Sequence, residues 1–128
     1  MAALGTTTAN KVIGALLTDA SFTLPTSWFL ALYLTNPTAS DTGTEISGVS
    51  YVRQPIIFGT PSGGSVSNTT DIAFPYAGSV WGNVVYAAIL DASTGGNLLF
   101  FGPLVSPQYV GAGDVLKFLT GNVTATVS

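Results

Sequence analysis

Two apolar stretches separated by a polar turn dominate the hydrophobic pattern between residues 81 and 105. Residues 84–90 and 98–105 are nearly continuous in apolar side chains, many of them β-branched or aromatic, and residues 91–97 are polar and contain two glycines. This pattern predicts a β-hairpin. Because the arms do not alternate apolar with polar positions, we expect both faces to be covered, by a facing sheet or by another copy of the chain.

Further short apolar segments, bounded by turn residues, predict additional strands. They are residues 28–34, 52–58, 71–74, 115–119 and 123–127. Pro55 cannot donate a hydrogen bond to a neighbouring strand, so we place its segment at a sheet edge or a bulge. The last two segments flank Gly121-Asn122, a dipeptide that favours a hairpin turn.

Near the N-terminus the period of the pattern changes to that of a helix. The apolar residues that recur on one face are Val12, Ile13, Leu16 and Leu17. Their spacing predicts a short helix over residues 8–18. We expect this stripe to cover the core of the domain; packing on a neighbouring subunit is the alternative.

These elements together predict a mainly β fold. Short strands separated by turns, with one helix in front of them, are typical of an antiparallel β-sandwich or a jelly-roll-like barrel, here with one short N-terminal helix. We expect a single β-rich domain over residues 1–128, a length that suits one domain. Residues 1–20 would form an N-terminal arm and the helix, and residues 28–128 the β-sandwich.

Charged residues are unusually scarce in this chain. They make up 7% of it, against 47% hydrophobic residues, whereas roughly a quarter of an average soluble protein is charged. Three basic and six acidic side chains cover too little surface to keep monomers apart. We therefore expect part of the surface to be buried against other subunits.

The same composition argues against several kinds of partner. The chain has no run of ~20 apolar residues, which a membrane-spanning helix needs, and its N-terminal stretch lacks the basic region and apolar core of a signal peptide. Lys11, Arg53 and Lys117 are the only basic residues, too few for a phosphate-binding patch. We predict neither a membrane partner nor a nucleic-acid partner.

The chain offers little material for catalysis. Histidine and cysteine are absent, which removes the usual general base, the commonest metal ligand and the thiol nucleophile. The carboxylates are Asp19, Asp41, Glu45, Asp71, Asp91 and Asp114. Most of them lie in or beside turns, where a short carboxylate hydrogen-bonds nearby backbone. We predict no catalytic, cofactor-binding or metal site, and no cofactor.

Three pairings of the acidic residues bear on this prediction. Calcium binding by Asp91 with Asn97, or by Asp41 with Glu45, lacks the ladder of alternating acidic residues of a loop site. Glu45 and Arg53 flank a predicted turn and would face each other if the flanks pair. We expect an ordinary structural ion pair there, worth about 0 to 1 kcal/mol when solvated.

Two other patterns, typical of glycosylation and of sugar binding, are better explained by structure. Glycan-acceptor patterns begin at Asn68 and Asn122 and mean little without a secretion signal. The aromatic residues lie on or beside the strand segments, where core packing is expected. A sugar-stacking platform would require several of them to be exposed together.

A series of segments, in order along nearly the whole chain, resembles a known family. The segments are residues 30–37 (LALYLTNP), residues 43–48 (GTEISG) with Tyr51 and Arg53, Phe58-Gly59, Phe74-Pro75, Trp81-Gly82, Asp91-Ala92, residues 95–99 (GGNLL), and Gly113-Asp114 with Phe118. Together they resemble small virion proteins of tailed bacteriophages, of the types called tail fibre protein and capsid decoration (cement) protein.

The resemblance implies a non-enzymatic, β-rich protein that is made in the host cytoplasm and assembled onto the phage particle as a homo-oligomer, a trimer being one form. It carries over no catalytic residues. The positions that carry over as framework are Glu45, Arg53, Trp81, Asp91, Gly95 and Gly96. The N-terminal helix carries less charge than the resemblance would imply.

We therefore expect a virion structural protein at the capsid or tail surface. The leading hypothesis is a capsid decoration or cement protein that binds the major capsid protein or other virion proteins and stabilises the shell. The alternative is a tail fibre or baseplate component that binds a host receptor through an exposed loop patch in residues 38–50 or 60–70. A glycan-processing enzyme is a third hypothesis, disfavoured by the lack of histidine and of paired carboxylates.

Overall fold

The computed structural model describes residues 3–21 and 23–126. One helix, α1, spans Thr6–Leu17. The strands are β1 (Ala3–Leu4), β2 (Phe29–Tyr33), β3 (Gln54–Pro55), β4 (Ser65–Ser67), β5 (Ile72–Ala73), β6 (Gly82–Leu90), β7 (Leu98–Val110), β8 (Lys117–Phe118) and β9 (Thr124–Thr126). The predicted class, mainly β with one short N-terminal helix, is confirmed. The first two residues of the predicted arm and the end of the last predicted strand lie outside the described residues.

The predicted hairpin lies at the centre of a five-stranded antiparallel sheet. β6 and β7 pair with each other, and the strand order is β1-β7-β6-β2-β3. β2 pairs with β6 from Phe29 opposite Leu90 to Tyr33 opposite Tyr86. The prediction of a hairpin is therefore confirmed, and its turn lies in the polar break between the two apolar arms.

Alternate residues of the central strands face opposite sides of this sheet and form two apolar clusters. The main cluster includes Leu30, Leu32, Val84, Ile89 and Leu99, with Phe74 and Trp81. The second cluster contains Ala31, Tyr33, Ala88, Leu90 and Leu98. Near its turn, the hairpin is thus buried on both faces within one chain, which explains why its arms are apolar without alternation.

Two small sheets lie over the main cluster and give the fold a sandwich-like arrangement. β4 pairs with β9 and β5 pairs with β8. The prediction that the last two strands pair with each other around Gly121-Asn122 is wrong. The turn forms, but Asn68 accepts hydrogen bonds from the backbone of Gly121 and Val123 at 3.0 Å each. This contact holds the turn against β4, so the strands on its two sides separate to different partners.

β3 is shorter than the segment predicted for it. Of residues 52–58, only Gln54–Pro55 form a strand, and Phe58 makes an isolated bridge with Asn68. β3 lies at one edge of the five-stranded sheet. The placement of Pro55 at an edge is therefore confirmed, because an edge strand leaves the missing N–H without consequence.

β7 contains a bulge that the sequence did not predict. Val84 is opposite Gln108, but Tyr86 is already opposite Pro103. Residues 104–107 therefore protrude from the pairing opposite a single residue of β6. Such bulges bend the strand and locally increase its twist.

α1 begins two residues earlier than predicted and does not cover the core. Only Thr8 is buried in it, and its hydroxyl donates to the carbonyl of Leu98 at 2.9 Å. The side chains of Ile13, Leu16 and Leu17 are 55%, 76% and 77% exposed. The prediction that the stripe lids the domain is wrong, because the helix is attached at its first turn and its second half lies away from the sheet.

Candidate functional site

Glu45 and Arg53 form the most extensive polar contact between side chains. Arg53 Nη2 lies 2.8 Å from Glu45 Oε1, and Arg53 Nε donates to Glu45 Oε2 at 2.8 Å. The hydroxyl of Tyr51 donates to the same Oε2 at 2.6 Å. The predicted ion pair is therefore confirmed, and it is buried further than expected: Arg53 is 8% exposed and Glu45 24%. The flanks of the turn do not pair with each other, because residues 45–46 lie beside β2.

Arg53 also reaches the turn of the central hairpin. Its Nη1 donates to the carbonyl oxygens of Ala92 and Gly95, both at 2.8 Å. Inside that turn, Asp91 accepts from the backbone N–H of Asn97 at 2.7 Å and from its side-chain amide at 3.1 Å. Four framework positions of the resemblance, Glu45, Arg53, Asp91 and Gly95, thus take part in contacts that hold the turn.

The network changes how its members ionise. Burial, followed by the hydrogen bond to Glu45, raises the pKa of the Tyr51 hydroxyl well above its usual range. The hydrogen bond to Glu45 also raises the pKa of Arg53, despite the burial of its guanidinium. Partial burial would raise the pKa of Asp91, but the hydrogen bonds from Asn97 outweigh it and the pKa is lowered. These groups therefore keep one charge state at neutral pH, which suits a structural role.

The remaining carboxylates are dispersed, and several are held by their own surroundings. Asp71 accepts from the backbone and hydroxyl of Thr120 at 2.8 and 2.9 Å. Asp114 accepts from the backbone of Gly111 at 2.8 Å, and Asp41 accepts from the hydroxyl of Tyr33 at 2.9 Å. Of these three, Asp114 alone follows the prediction that a turn carboxylate bonds nearby backbone; Asp71 binds a residue 49 positions later and Asp41 binds a tyrosine side chain.

The proposed calcium pairs are not assembled for a cation. Asn97 donates hydrogen bonds to Asp91 instead of offering a second oxygen beside it, while Asp41 and Glu45 accept from different tyrosines. Within residues 3–21 and 23–126, no group of three or more acidic side chains could hold a metal ion. That no catalytic, cofactor or metal site exists stays a prediction.

Asn68, which begins the first glycan-acceptor pattern, has a structural role. Asn68 is 3% exposed, and its amide donates to the carbonyls of Thr70 and Leu119 at 2.7 and 3.2 Å while its oxygen accepts two backbone N–H groups. All four of its hydrogen-bonding positions are therefore used inside the fold. Asn122, by contrast, is exposed in its turn.

Three loops converge at the end of the hairpin opposite its turn. The backbone of Gly78 donates to Val49 at 3.1 Å, Ala77 donates to Asp114 at 3.0 Å, and Gly113 donates to Ala77 at 2.7 Å. These bonds join residues 47–50, 75–80 and 109–115, and we call their outer side chains the loop surface. Its exposed large side chains are Val49, Tyr76, Val80, Tyr109 and Val115, at 61%, 72%, 56%, 65% and 48%.

A buried tryptophan holds the loop surface in place. Trp81 is 4% exposed, and its indole N–H donates to the carbonyl of Val49 at 3.0 Å. Its ring meets Tyr51 edge to face, with ring centroids 5.4 Å apart, and Tyr51 in turn stacks on Phe74 at 6.1 Å. The loops are thus attached to the core through an aromatic cluster of the favourable geometry.

The loop surface overlaps the predicted receptor patch only in part. Of residues 38–50, the last four belong to it, whereas residues 60–70 lie elsewhere, around β4. Core packing is predicted for the aromatic residues as a group, but Tyr76 and Tyr109 are exposed. Both lie just outside the apolar runs, Tyr76 after Pro75 and Tyr109 after a proline-containing break. That position in the sequence is the feature that could have indicated their exposure.

An open groove of about 610 Å³ lies on the main-cluster side of the sheet. Its walls include Phe100 and Leu104 of β7 and Leu116, Phe118 and Val123 from the last part of the chain. Lys117, which borders it, lies 3.5 Å from Asp71. The groove marks where the small sheets and the large sheet only partly close on each other.

Comparison with known proteins identifies the family of the chain. A family model described as podophage GP4 fiber I protein gp80 matches residues 3–126. No curated protein matches the chain significantly. The matched region covers the N-terminal helix, both small sheets and the central hairpin together. The chain therefore belongs to the podophage GP4 fiber I protein gp80 family, and it is a structural protein of the bacteriophage virion.

Proposed function

We propose that this protein is a component of a phage tail fibre and takes part in recognition of the host. The observation that carries the proposal is the match of residues 3–126 to a family of fiber proteins. Capsid decoration, the leading expectation from the sequence, has no comparable support. The tail fibre alternative accounts for the family and for the exposed loops.

The distribution of exposed apolar residues supports a fibre subunit with two different ends. The N-terminal segment contacts the body near the hairpin turn: Gly5 donates to Leu99 at 3.0 Å and Thr6 to Ala39 at 2.7 Å. The loop surface lies at the other end of β6, a strand of nine residues and therefore about 30 Å long. One end suits attachment and the other is free to meet a ligand.

We infer that the attachment end joins copies of this chain. A helix of twelve residues is marginal in water without packing, yet α1 leaves Ile13, Leu16 and Leu17 exposed. Lys11 and Asp19 are the only charged residues before residue 41, so like-charge repulsion between copies would be small. A homo-oligomer that buries the stripe would supply the missing packing.

We infer a non-enzymatic role as well. Glu45, Asp71, Asp91 and Asp114 all accept hydrogen bonds within the fold, which fits framework functions. Assembly in the host cytoplasm and binding to other virion proteins belong to the same proposal.

Labelling of the intact particle tests the location. An epitope inserted in the turn at residues 62–65, which lies away from α1 and the loop surface, would be detected by gold-labelled antibody in electron micrographs. We expect label at the tail. Label distributed over the capsid, together with loss of genome on heating of particles that lack the protein, would instead establish a cement protein and overturn the proposal.

A further inference from the structure

We propose that the loop surface is a binding site for a neutral carbohydrate of the host cell envelope. The proposal rests on the proposed function, because it names the class of ligand that a fibre of this kind would recognise. It is carried by two exposed tyrosines, one exposed carboxylate and the absence of positive charge on three loops that the core holds in place.

The two tyrosines flank the same turn. Tyr76 directly precedes Ala77, whose backbone is hydrogen-bonded to Asp114 and Gly113. Tyr109 lies at the other side: a Cβ placed on Gly111 would be 3.4 Å from both the Tyr109 ring and the Asp114 carboxylate. Aromatic rings present an apolar face with a polar edge. That combination suits a pyranose, which has apolar C–H faces and hydroxyl edges.

Unused hydrogen-bonding groups accompany these rings. The hydroxyls of Tyr33 and Tyr51 donate to carboxylates in the interior, whereas those of Tyr76 and Tyr109 contact no polar group within the described residues. Asp114 uses Oδ2 to accept from Gly111, and its Oδ1 accepts no hydrogen bond in the described part of the chain. The loop surface therefore offers two hydroxyls and a carboxylate oxygen to sugar hydroxyls.

Charge selects the kind of carbohydrate. Asp114 is the only charged residue in residues 47–50, 75–80 and 109–115. The basic residues are elsewhere: Arg53 is paired with Glu45, Lys117 lies beside Asp71 and Lys11 is on α1. An anionic glycan or a phosphate would find no cation at this surface and would meet a carboxylate. A neutral sugar is the ligand that fits.

The site is also held in shape before binding. Its loops are joined by backbone hydrogen bonds of 2.7 to 3.1 Å, and Trp81 anchors Val49 from beneath. Gly113 adopts a φ of +84°, which a glycine accepts without strain and which closes the turn between the tyrosines. A preformed surface of this kind loses less conformational entropy when it binds a ligand.

Glycan-array binding of the full chain tests the proposal. The array carries neutral hexose and N-acetylhexosamine oligosaccharides, with sialylated and phosphorylated glycans as the anionic arm. We expect binding to a neutral member only, weakened about tenfold by Tyr76→Ala or Tyr109→Ala and abolished in the double variant. Ile57→Ala, which changes a residue 62% exposed away from the loop surface, should bind as the parent does.

Other outcomes overturn the proposal. Binding only to anionic glycans, no binding to any neutral member, or binding that survives the double variant with unchanged thermal stability would each refute it. Treatment of host cells distinguishes a carbohydrate receptor from a protein receptor. We expect the protein to lose attachment to cells treated with periodate and to keep it on cells treated with protease. The reverse result would refute a carbohydrate ligand.

The test separates this inference from the tail fibre proposal. If the label lies at the tail and the protein binds no neutral glycan on the array, the carbohydrate site alone is overturned. Capsid labelling with tyrosine-dependent binding to a neutral glycan would overturn the fibre role and leave the site standing.

Discussion

Arg53 and Glu45 meet in a two-point ion pair in which Nη2 lies 2.8 Å from Oε1 and Nε lies 2.8 Å from Oε2. Paired geometry of this kind fixes the plane of the guanidinium as well as its position. The remaining nitrogen can therefore reach Ala92 and Gly95, on the turn of the central hairpin. A contact between residues eight positions apart thus positions a turn about forty residues later.

Replacing Arg53 should destabilise the fold strongly. Arg53→Met leaves Glu45 without its partner and removes the donor from two turn carbonyls, so we expect the free energy of unfolding to fall by about 2 to 3 kcal/mol. A double-mutant cycle with Glu45→Gln, measured by urea denaturation, should give a coupling above about 1 kcal/mol. Lys117→Met, which breaks an exposed pair with Asp71, is the control and should cause no measurable change. A coupling of zero would contradict the proposed network.

Asn68 should tolerate no substitution that removes its amide. Asn68→Ala removes the four hydrogen bonds of a buried side chain, to the N–H groups of Gly121 and Val123 and to two carbonyls. We expect a loss of about 2 to 4 kcal/mol in unfolding free energy. Asn122→Ala, in an exposed turn position, is the matched control and should change it by less than about 0.5 kcal/mol. Equal melting temperatures for the two variants would show that Asn68 does not hold the small sheets together.

Two adjacent glycines in the hairpin turn should respond differently to alanine. Both have positive φ, +60° at Gly95 and +79° at Gly96, so each substitution introduces some backbone strain. A Cβ on Gly96 would also lie 2.6 Å from Asp91 Oδ1 and 2.8 Å from Ala92 Cβ, whereas one on Gly95 meets nothing within 4 Å. We expect Gly95→Ala to cost about 1 kcal/mol and Gly96→Ala at least about 2 kcal/mol. Denaturant melts of both variants would check the order, and the reverse order would contradict the turn geometry.

Asp91 should make part of the stability dependent on acid pH. Its pKa is lowered in the folded protein, below the value of about 3.9 of an unfolded aspartate. Its contribution is therefore complete above that value and is lost as the pH falls through the folded pKa. Asp91→Asn should be less stable than the parent at pH 7, and the difference should shrink in strong acid. Urea denaturation across the acid range measures this difference in stability, with the exposed Asp19→Asn as control. A difference that does not change with pH would contradict the role of Asp91.

The stripe of α1 should govern self-association. Leu16→Glu places a charge at a residue that is 76% exposed in the single chain, so it should leave the subunit folded while reducing the oligomer. Thr7→Glu adds the same charge to an exposed residue in the first turn of the helix, where acidic residues are tolerated. This control should leave the oligomer unchanged. Light scattering after size-exclusion chromatography measures both. A parent protein that is monomeric at high concentration would refute the inferred assembly.

Local elements of this fold follow from local sequence patterns. The apolar runs around residues 91–97 predicted the central hairpin, and the proline in β3 predicted an edge strand. Those predictions succeed because periodicity and turn chemistry act within a few residues. The same local logic placed the apolar stripe of α1 against the core, and there it failed: a hydrophobic face shows only that a partner is needed, and it does not show which surface supplies one.

The sequence by itself determined the strand-rich character of the chain, the central hairpin, the scarcity of charge and the pairing of Glu45 with Arg53 across a short turn. Only the tertiary structure decided that β8 pairs with β5 and β9 with β4, that Arg53 reaches the hairpin turn, and that Tyr76 and Tyr109 belong to one exposed surface. These arrangements join segments tens of residues apart. They depend on how buried side chains such as Trp81 and Asn68 satisfy their contacts, which no short-range pattern records.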